Sequence, residues 1–299
     1  MNVICVLVNN IEWFKIMLDN MPEEVNDSIK NNKCAFVIFN EQRIGDKVKE
    51  IKSILENNKD KLIKAKVIGS NLVINKFIEK TGCDTSFLRN YTMGMNILMQ
   101  WFIFTYLKNA NEILSLDDDI ILQNDICNIF EGLSKFKIDK LRTANYAKLN
   151  NQSKEMVKQL QDLFNDECDI KKFYKSYVNG GHFILCKNDI DIKNYEDALI
   201  RFFNNDFLES LWNKRRKYTS YQFDEKFITA LAIHNNNENN LMNKDVCMFC
   251  LKNKNIKDIT IMNQLKSKKV IHVCNNSGKV LLYDRIKMIK EKMEDGSNA

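Results

Sequence analysis

Ile113-Leu114-Ser115-Leu116-Asp117-Asp118-Asp119-Ile120-Ile121-Leu122 sets three consecutive carboxylates between two apolar runs of strand character. Three like charges in a row repel one another, and a strand inside a core does not normally carry them. A divalent cation reverses that cost, because hard cations take oxygen ligands and neutralise the cluster. In open α/β sheets ligands collect beyond the carboxyl ends of strands, and the three aspartates fall at such an end. Along an extended chain Asp117 and Asp119 project to one side and Asp118 to the other, so that Asp117 and Asp119 form one metal-facing D-x-D. The same residues also suit a solvated acidic turn or a helix N-cap. Their position between two apolar strands favours the metal.

Working outward from this cluster, the first 125 residues alternate in character. Val3–Val8 and Cys34–Phe39 are short runs rich in β-branched and aromatic residues, as buried parallel strands are. Ile11–Asn20 has helical spacing. In Asp46–Glu56 the residues Val48, Ile51 and Leu55 share one helical face. Ala65–Ile68 reads as a strand and Leu72–Glu79 as a helix. Gly94–Leu107 is a strongly apolar helix that leads, through Asn109-Ala110-Asn111, into the strand Glu112–Leu116. Strand and helix in this alternation imply an α/β fold with right-handed crossovers and a mostly parallel sheet.

Towards the C-terminus the pattern is less regular. Arg142–Ala147 and His182–Cys186 read as strands and Gln152–Phe164 as an amphipathic helix. Asp191–Phe203, Phe207–Arg215 and Phe223–Ile233 read as helices, and Asn235–Asn240 as a polar low-complexity loop. Two late strands, Asp258–Met262 and Val270–Cys274, precede a basic amphipathic helix from Leu281 to Met293. There is one proline among 299 residues, so no linker is written into the chain, and 1–299 reads as a single domain.

The run LSLDDDIILQNDI resembles the strand, D-x-D, strand core of GT-A glycosyltransferases, especially glycosyltransferase family 8, the family of glycogenin and the lipooligosaccharide galactosyltransferases. The resemblance implies a GT-A (Rossmann-like) fold: a central, mostly parallel sheet flanked by helices, with a smaller acceptor-side region. It divides the chain into a nucleotide-sugar-binding half (1–125), an acceptor-side half (126–280) and a C-terminal basic helix and tail (281–299). It implies Mn²⁺ (or Mg²⁺) bridging the diphosphate of a nucleotide-sugar, with Asp119 a direct ligand and Asp117 touching metal and ribose. Asp118 joins the same nucleotide site. The end of the first strand, Leu7-Val8-Asn9-Asn10, receives the base, and Arg89, ahead of the aspartates, helps to hold the nucleotide.

Three later segments match the family in order. Tyr177-Val178-Asn179-Gly180-Gly181-His182-Phe183-Ile184-Leu185 is similar to the Asn-x-Gly and apolar strand that line the donor sugar pocket, which assigns Asn179, Gly180 and Gly181. Glycine there allows a ligand to approach the backbone, and a tight turn into a strand has the same composition. Phe223-Asp224-Glu225-Lys226-Phe227-Ile228 resembles the family's Asp-Gln near the reaction centre, with Glu225 where Gln is usual. A helix N-cap at Asp224 is compatible with that role. Ile271-His272-Val273-Cys274-Asn275-Asn276-Ser277-Gly278-Lys279 resembles the late His-x-x-Gly-x-x-Lys, in which the His is a metal ligand and the Lys grips the diphosphate. Here His272 and Gly278 stand further apart than in the family, and no Pro-Trp follows Lys279.

The implied activity is metal-dependent transfer of a sugar, from a UDP-sugar by resemblance, to an acceptor hydroxyl with retention of configuration. An inverting relative would use Asp224 or Glu225 as base. The acceptor stays open. A net charge of +6 and the run Lys214-Arg215-Arg216-Lys217-Tyr218 suit an acidic or phosphate-bearing partner such as lipopolysaccharide, another glycan or nucleic acid. Glycosylation of modified nucleic-acid bases, or nucleic-acid binding without catalysis, are the alternatives. A sugar nucleotidyltransferase shares the α/β layout but needs a Gly-rich basic loop where this chain reads Val8-Asn9-Asn10-Ile11.

Nine scattered cysteines argue for a reducing, cytoplasmic setting rather than a disulfide framework. Cys247-x-x-Cys250 with His272 and Cys274 is a loose zinc pattern that competes for His272. The N-terminus has no basic region ahead of its apolar stretch and reads as a strand rather than a signal peptide. NILMQWFIFTYL, from Asn96 to Leu107, is shorter than the roughly 20 residues a spanning helix needs and reads as a core helix. The positive balance is compatible with peripheral membrane contact, and the oligomeric state is not written in the sequence.

Overall fold

The computed structural model describes residues 1–23, 25, 27, 31, 34–40, 47–58, 65–86, 95–107, 109–122, 151–175, 182–186, 190–208, 210, 223–235, 246–250, 257–267, 270–274 and 279–295. Its strands are β1 (Asn2–Val8), β2 (Cys34–Asn40), β3 (Ala65–Gly69), β4 (Glu112–Asp117), β5 (Ile120–Leu122), β6 (His182–Cys186), β7 (Val246–Cys250) and β8 (Val270–Cys274). In the first half the helices are α1 (Ile11–Asp19), α2 (Val48–Asn57), α3 (Ser70–Thr81) and α4 (Met95–Tyr106). They continue with α5 (Asn151–Asp162), α6 (Ile170–Lys175), α7 (Ile192–Phe203), α8 (Phe223–His234), α9 (Asp258–Ser267) and α10 (Lys279–Glu294).

The larger sheet has the order β3-β2-β1-β4-β6. Its first four strands are parallel, and β6 closes the edge antiparallel to β4. β1 is central, and every side chain from Val3 to Val8 is at most 2% exposed. Its alternate residues feed two cores: Val3, Cys5 and Leu7 pack with α3, α4, α5, α7 and α8, while Ile4, Val6 and Val8 pack with α1 and α2. Helices on both faces of a mostly parallel sheet make this the α/β fold the alternation implies.

α4 is apolar all round, and its ten residues from Met95 to Phe104 are buried, as a helix without a polar face must be. Two of its side chains are tied to neighbouring elements. Gln100 Nε2 donates to Ser115 Oγ of β4 at 2.9 Å, and Trp101 Nε1 donates to the Glu196 carboxylate of α7 at 2.8 Å. Tyr195 Oη donates to the Ile97 carbonyl at 2.9 Å. Among the described residues, no helix is long and apolar enough to cross a membrane.

A second sheet, of order β5-β8-β7, begins where the first one ends. β8 is antiparallel to β5 and parallel to β7. It has its own core, in which Ile121, Ile271 and Val273 meet Ile261 and Leu265 of α9 and Tyr283, Ile286 and Ile289 of α10.

Three expectations change. Asp258–Met262 is not a strand but the start of α9, because Ile261, Met262 and Leu265 fall on one helical face over this core. The β-branched residues of that stretch suit a strand locally, and burial against α10 overrides the preference. The strand that does lie in this region is β7, and it carries Cys247 and Cys250. They sit three register positions apart on an extended strand, Cys247 opposite Ile271 and Cys250 opposite Cys274, whereas a C-x-x-C zinc knuckle needs a tight turn. The third change concerns the aspartates. β4 ends at Asp117 and β5 starts at Ile120, with bends between them, so the chain is not extended through the cluster. The expected strand Arg142–Ala147 and most of Phe207–Arg215 lie outside the described residues, as does 236–240 of the polar loop.

Candidate functional site

The three aspartates form the corner at which the chain leaves one sheet and enters the other. Asp117 is the last residue of β4 and pairs in register with Leu7 of β1, just before Val8 and Asn9. It is half-buried, and Asp119 is 7% exposed.

Asp118 has no solvent exposure. Its Oδ2 accepts the backbone N–H groups of Asn9 at 2.8 Å and of Asn10 at 2.6 Å. These amides open α1, whose N-cap is Asn10: the Asn10 Oδ1 accepts from the N–H groups of Glu12 at 2.9 Å and Trp13 at 3.2 Å. A carboxylate on the first amides of a helix is favoured by direct hydrogen bonds and by the helix dipole. Asp118 is therefore turned into the structure, towards the turn that carries Val8 and Asn9.

Asp119 is fastened from the other flank. Its carbonyl accepts the Val273 N–H of β8 at 2.9 Å. The next residue, Ile120, pairs in register with His272. β8 thus runs towards the aspartates, and the residues that follow Cys274 lead into α10, which starts at Lys279. The pairing brings the backbone of His272 beside Asp119, although 152 residues separate Ile120 from His272 in the sequence.

The residues singled out from the sequence divide accordingly. Val8, Asn9, Asp117, Asp118, Asp119 and the backbone of His272 converge on the corner. Lys279 opens α10 and Asp224 lies in the first turn of α8, each as a backbone position. Glu225 is 7% exposed in α8, where its carbonyl accepts the Thr229 Oγ1–H at 2.6 Å. Arg89, Asn179, Gly180, Gly181, Gly278 and the basic run Lys214–Lys217 lie outside the described residues. His182, the first residue of β6, stands opposite Leu116, next to Asp117.

The donor set suits a hard divalent cation in its chemistry. The backbone brings Asp117 and Asp119 to the same corner, and carboxylate oxygens are the ligands that hard divalent ions take. Among the described residues no group of three His, Cys, Asp or Glu side chains is arranged to hold a metal ion.

No protein-family model matches the sequence, and no curated protein does. Among solved structures the chain is similar to mouse xyloside xylosyltransferase 1 in its apo form, at 12% identity and a TM-score of 0.45 over 93% of this chain and 98% of that one. It is similar to the galactosyltransferase LgtC in complex with donor and acceptor sugar analogs, at 10% identity and a TM-score of 0.46 over 98% and 96%. It is also similar to the bifunctional glycosyltransferase WbbM, at 12% identity and a TM-score of 0.48 over 97% of this chain and 49% of that one. The chemistry of the site follows from this chain's own residues.

Proposed function

We propose that the chain is a GT-A glycosyltransferase that binds a nucleotide-sugar at the corner between its two sheets and passes the sugar to an acceptor hydroxyl. The observation that carries the reading is this corner: two carboxylates at the carboxyl end of a parallel strand, level with the end of the central strand and beside the register position of His272. Crevices at the carboxyl ends of parallel strands are where α/β folds take nucleotides.

Asp117 and Asp119 would hold Mn²⁺ or Mg²⁺, with His272 completing the set. When bound, the ion supplies positive charge against the diphosphate that leaves as the glycosidic bond breaks. Val8 and Asn9 line the base end of the site, and Arg89 supports the nucleotide. Lys279, at the start of α10, adds a cation at a helix N-terminus, where phosphate oxygens are favoured. Asn179, Gly180 and Gly181 precede β6, whose first residue borders the same edge, and are assigned to the donor sugar.

Asp224 and Glu225 are assigned to the reaction centre, with retention of configuration and UDP as the carrier. The first half supplies the donor site, 126–280 the acceptor side, and 281–299 the C-terminal helix and tail. The positive balance suits an acidic or phosphate-bearing acceptor. The scattered cysteines support a reducing, cytoplasmic setting. Among the described residues, Cys5, Cys83 and Cys168 are free thiols.

Release of sugar from a panel of UDP- and GDP-sugars tests the assignment, with Mn²⁺ and then with a chelator. Metal-dependent hydrolysis of one donor is expected. Salt-sensitive binding to nucleic acid with no hydrolysis of any donor would instead favour a nucleic-acid-binding protein.

A further inference from the structure

We infer that Asp118, the middle carboxylate, is a positioning residue that sets the distance between the nucleotide-binding turn and the two metal-facing aspartates; the inference rests on the donor site proposed above. Leu7 and Asp117 are the last register pair between β1 and β4. Beyond that pair the two chains part, one into α1 and the other into β5. Just past the parting, Oδ2 of Asp118 collects the N–H groups of Asn9 and Asn10 at 2.8 and 2.6 Å, across 109 and 108 residues of sequence.

The bond is built to be stiff. Asp118 is wholly out of solvent, so no water competes for the carboxylate. Asn10 spends its own side chain on capping α1, which keeps the turn from relaxing without unwinding the helix start. On the far side Val273 N–H holds the Asp119 carbonyl at 2.9 Å. Asp118 and β8 therefore clamp the corner from opposite flanks. Asp118 does so through Oδ2, which seats the turn of Val8 and Asn9. Its loss should displace the nucleotide and leave the metal carboxylates where they are.

The test compares Asp118→Ala and Asp118→Asn with the wild type by calorimetry, using Mn²⁺ alone and then UDP, GDP, ADP and CDP in saturating Mn²⁺. The alanine variant is expected to bind the nucleoside diphosphate about tenfold or more weakly, the scale of one displaced hydrogen-bonding group. Its Mn²⁺ affinity without nucleotide should stay within about threefold. The asparagine variant keeps an oxygen in place for both amides and should recover nucleotide affinity to within about threefold of wild type. A merely structural residue would lower the melting temperature without separating the two affinities. Unchanged nucleotide affinity in Asp118→Ala overturns the inference, and so does an equal fall for metal and nucleotide, which would make Asp118 a ligand. Should the alanine chain fail to fold, Asp118→Asn decides: a loss of nucleotide affinity above about tenfold with Mn²⁺ binding intact contradicts positioning by hydrogen bonds. If the wild type binds none of the four nucleotides, the proposed function itself fails.

Discussion

A buried thiol and a buried carboxylate reach stability by opposite routes in this molecule. Asp118 accepts hydrogen bonds from two backbone amides. Cys5, at the centre of β1, meets apolar neighbours, and burial pushes its thiol pKa far above the ordinary 9.0. Folded Cys5 holds its proton where the unfolded chain has lost it. The unfolded state then binds fewer protons, so stability is complete below about pH 9 and falls as the pH rises beyond it. Urea unfolding at pH 8 and pH 10 should show a smaller alkaline loss for Cys5→Ala than for the wild type. Equal losses would place the alkaline sensitivity elsewhere. The same scale explains what the sequence could reveal of the site. Asp117 and Asp119 stand out because adjacent charges beside apolar strands need a reason. The role of Asp118 depends on amides 109 and 108 positions away, and no local pattern encodes that.

Elements were legible where one physical preference dominated. β1 and β2 are continuous β-branched and aromatic runs buried on both faces, and α4 has no polar stripe, so their types could be read directly. α9 carries a local strand signal in Ile259, Thr260 and Ile261, while only contact with α10 makes Ile261, Met262 and Leu265 a buried helical face. β7 carries two conflicting signals: Val246-Cys247-Met248-Phe249-Cys250 is an apolar run, while its C-x-x-C spacing is also that of a zinc site. Glycine marks one helix end with a testable consequence. Gly82 closes α3 at φ +71° and donates its N–H to the Ile78 carbonyl at 2.8 Å. A Cβ there would touch nothing within 4 Å, so Gly82→Ala is penalised by backbone conformation alone. It should cost about 1 kcal/mol in denaturant unfolding, with Gly69→Ala as the comparison at a residue of ordinary φ. The same element-scale logic applies to α1. Asn10→Ala removes its cap and should cost about 1 kcal/mol, measurable as a shift in the denaturant midpoint at unchanged slope.

Across the whole molecule, three apolar cores are joined at one polar corner. The first lies under α4, where Trp101 is fully buried, meets Phe77 edge-on with ring centroids 4.9 Å apart, and hydrogen-bonds Glu196. Trp101→Ala should cost about 3–5 kcal/mol through the cavity it leaves, while Lys80 keeps the Glu196 carboxylate paired. Thermal unfolding would check this, and a loss below about 1 kcal/mol would mean the core collapses around the gap. The small sheet with α9 and α10 contributes no strand to the main sheet, yet it closes on the corner through Val273 and Asp119. Its pairing with β5 is why residues from opposite ends of the chain share a site, and long-range pairing of this kind is what local sequence signals leave unspecified.

The most direct measurement is the melting temperature of wild type and Asp119→Ala against nucleotide-sugars with and without Mn²⁺. A ligand that binds the folded chain must raise its stability. A rise in the wild type that needs both nucleotide-sugar and Mn²⁺, and that vanishes in an Asp119→Ala chain melting no lower than wild type without ligand, is the predicted result. The same metal-dependent rise in Asp119→Ala would contradict the account.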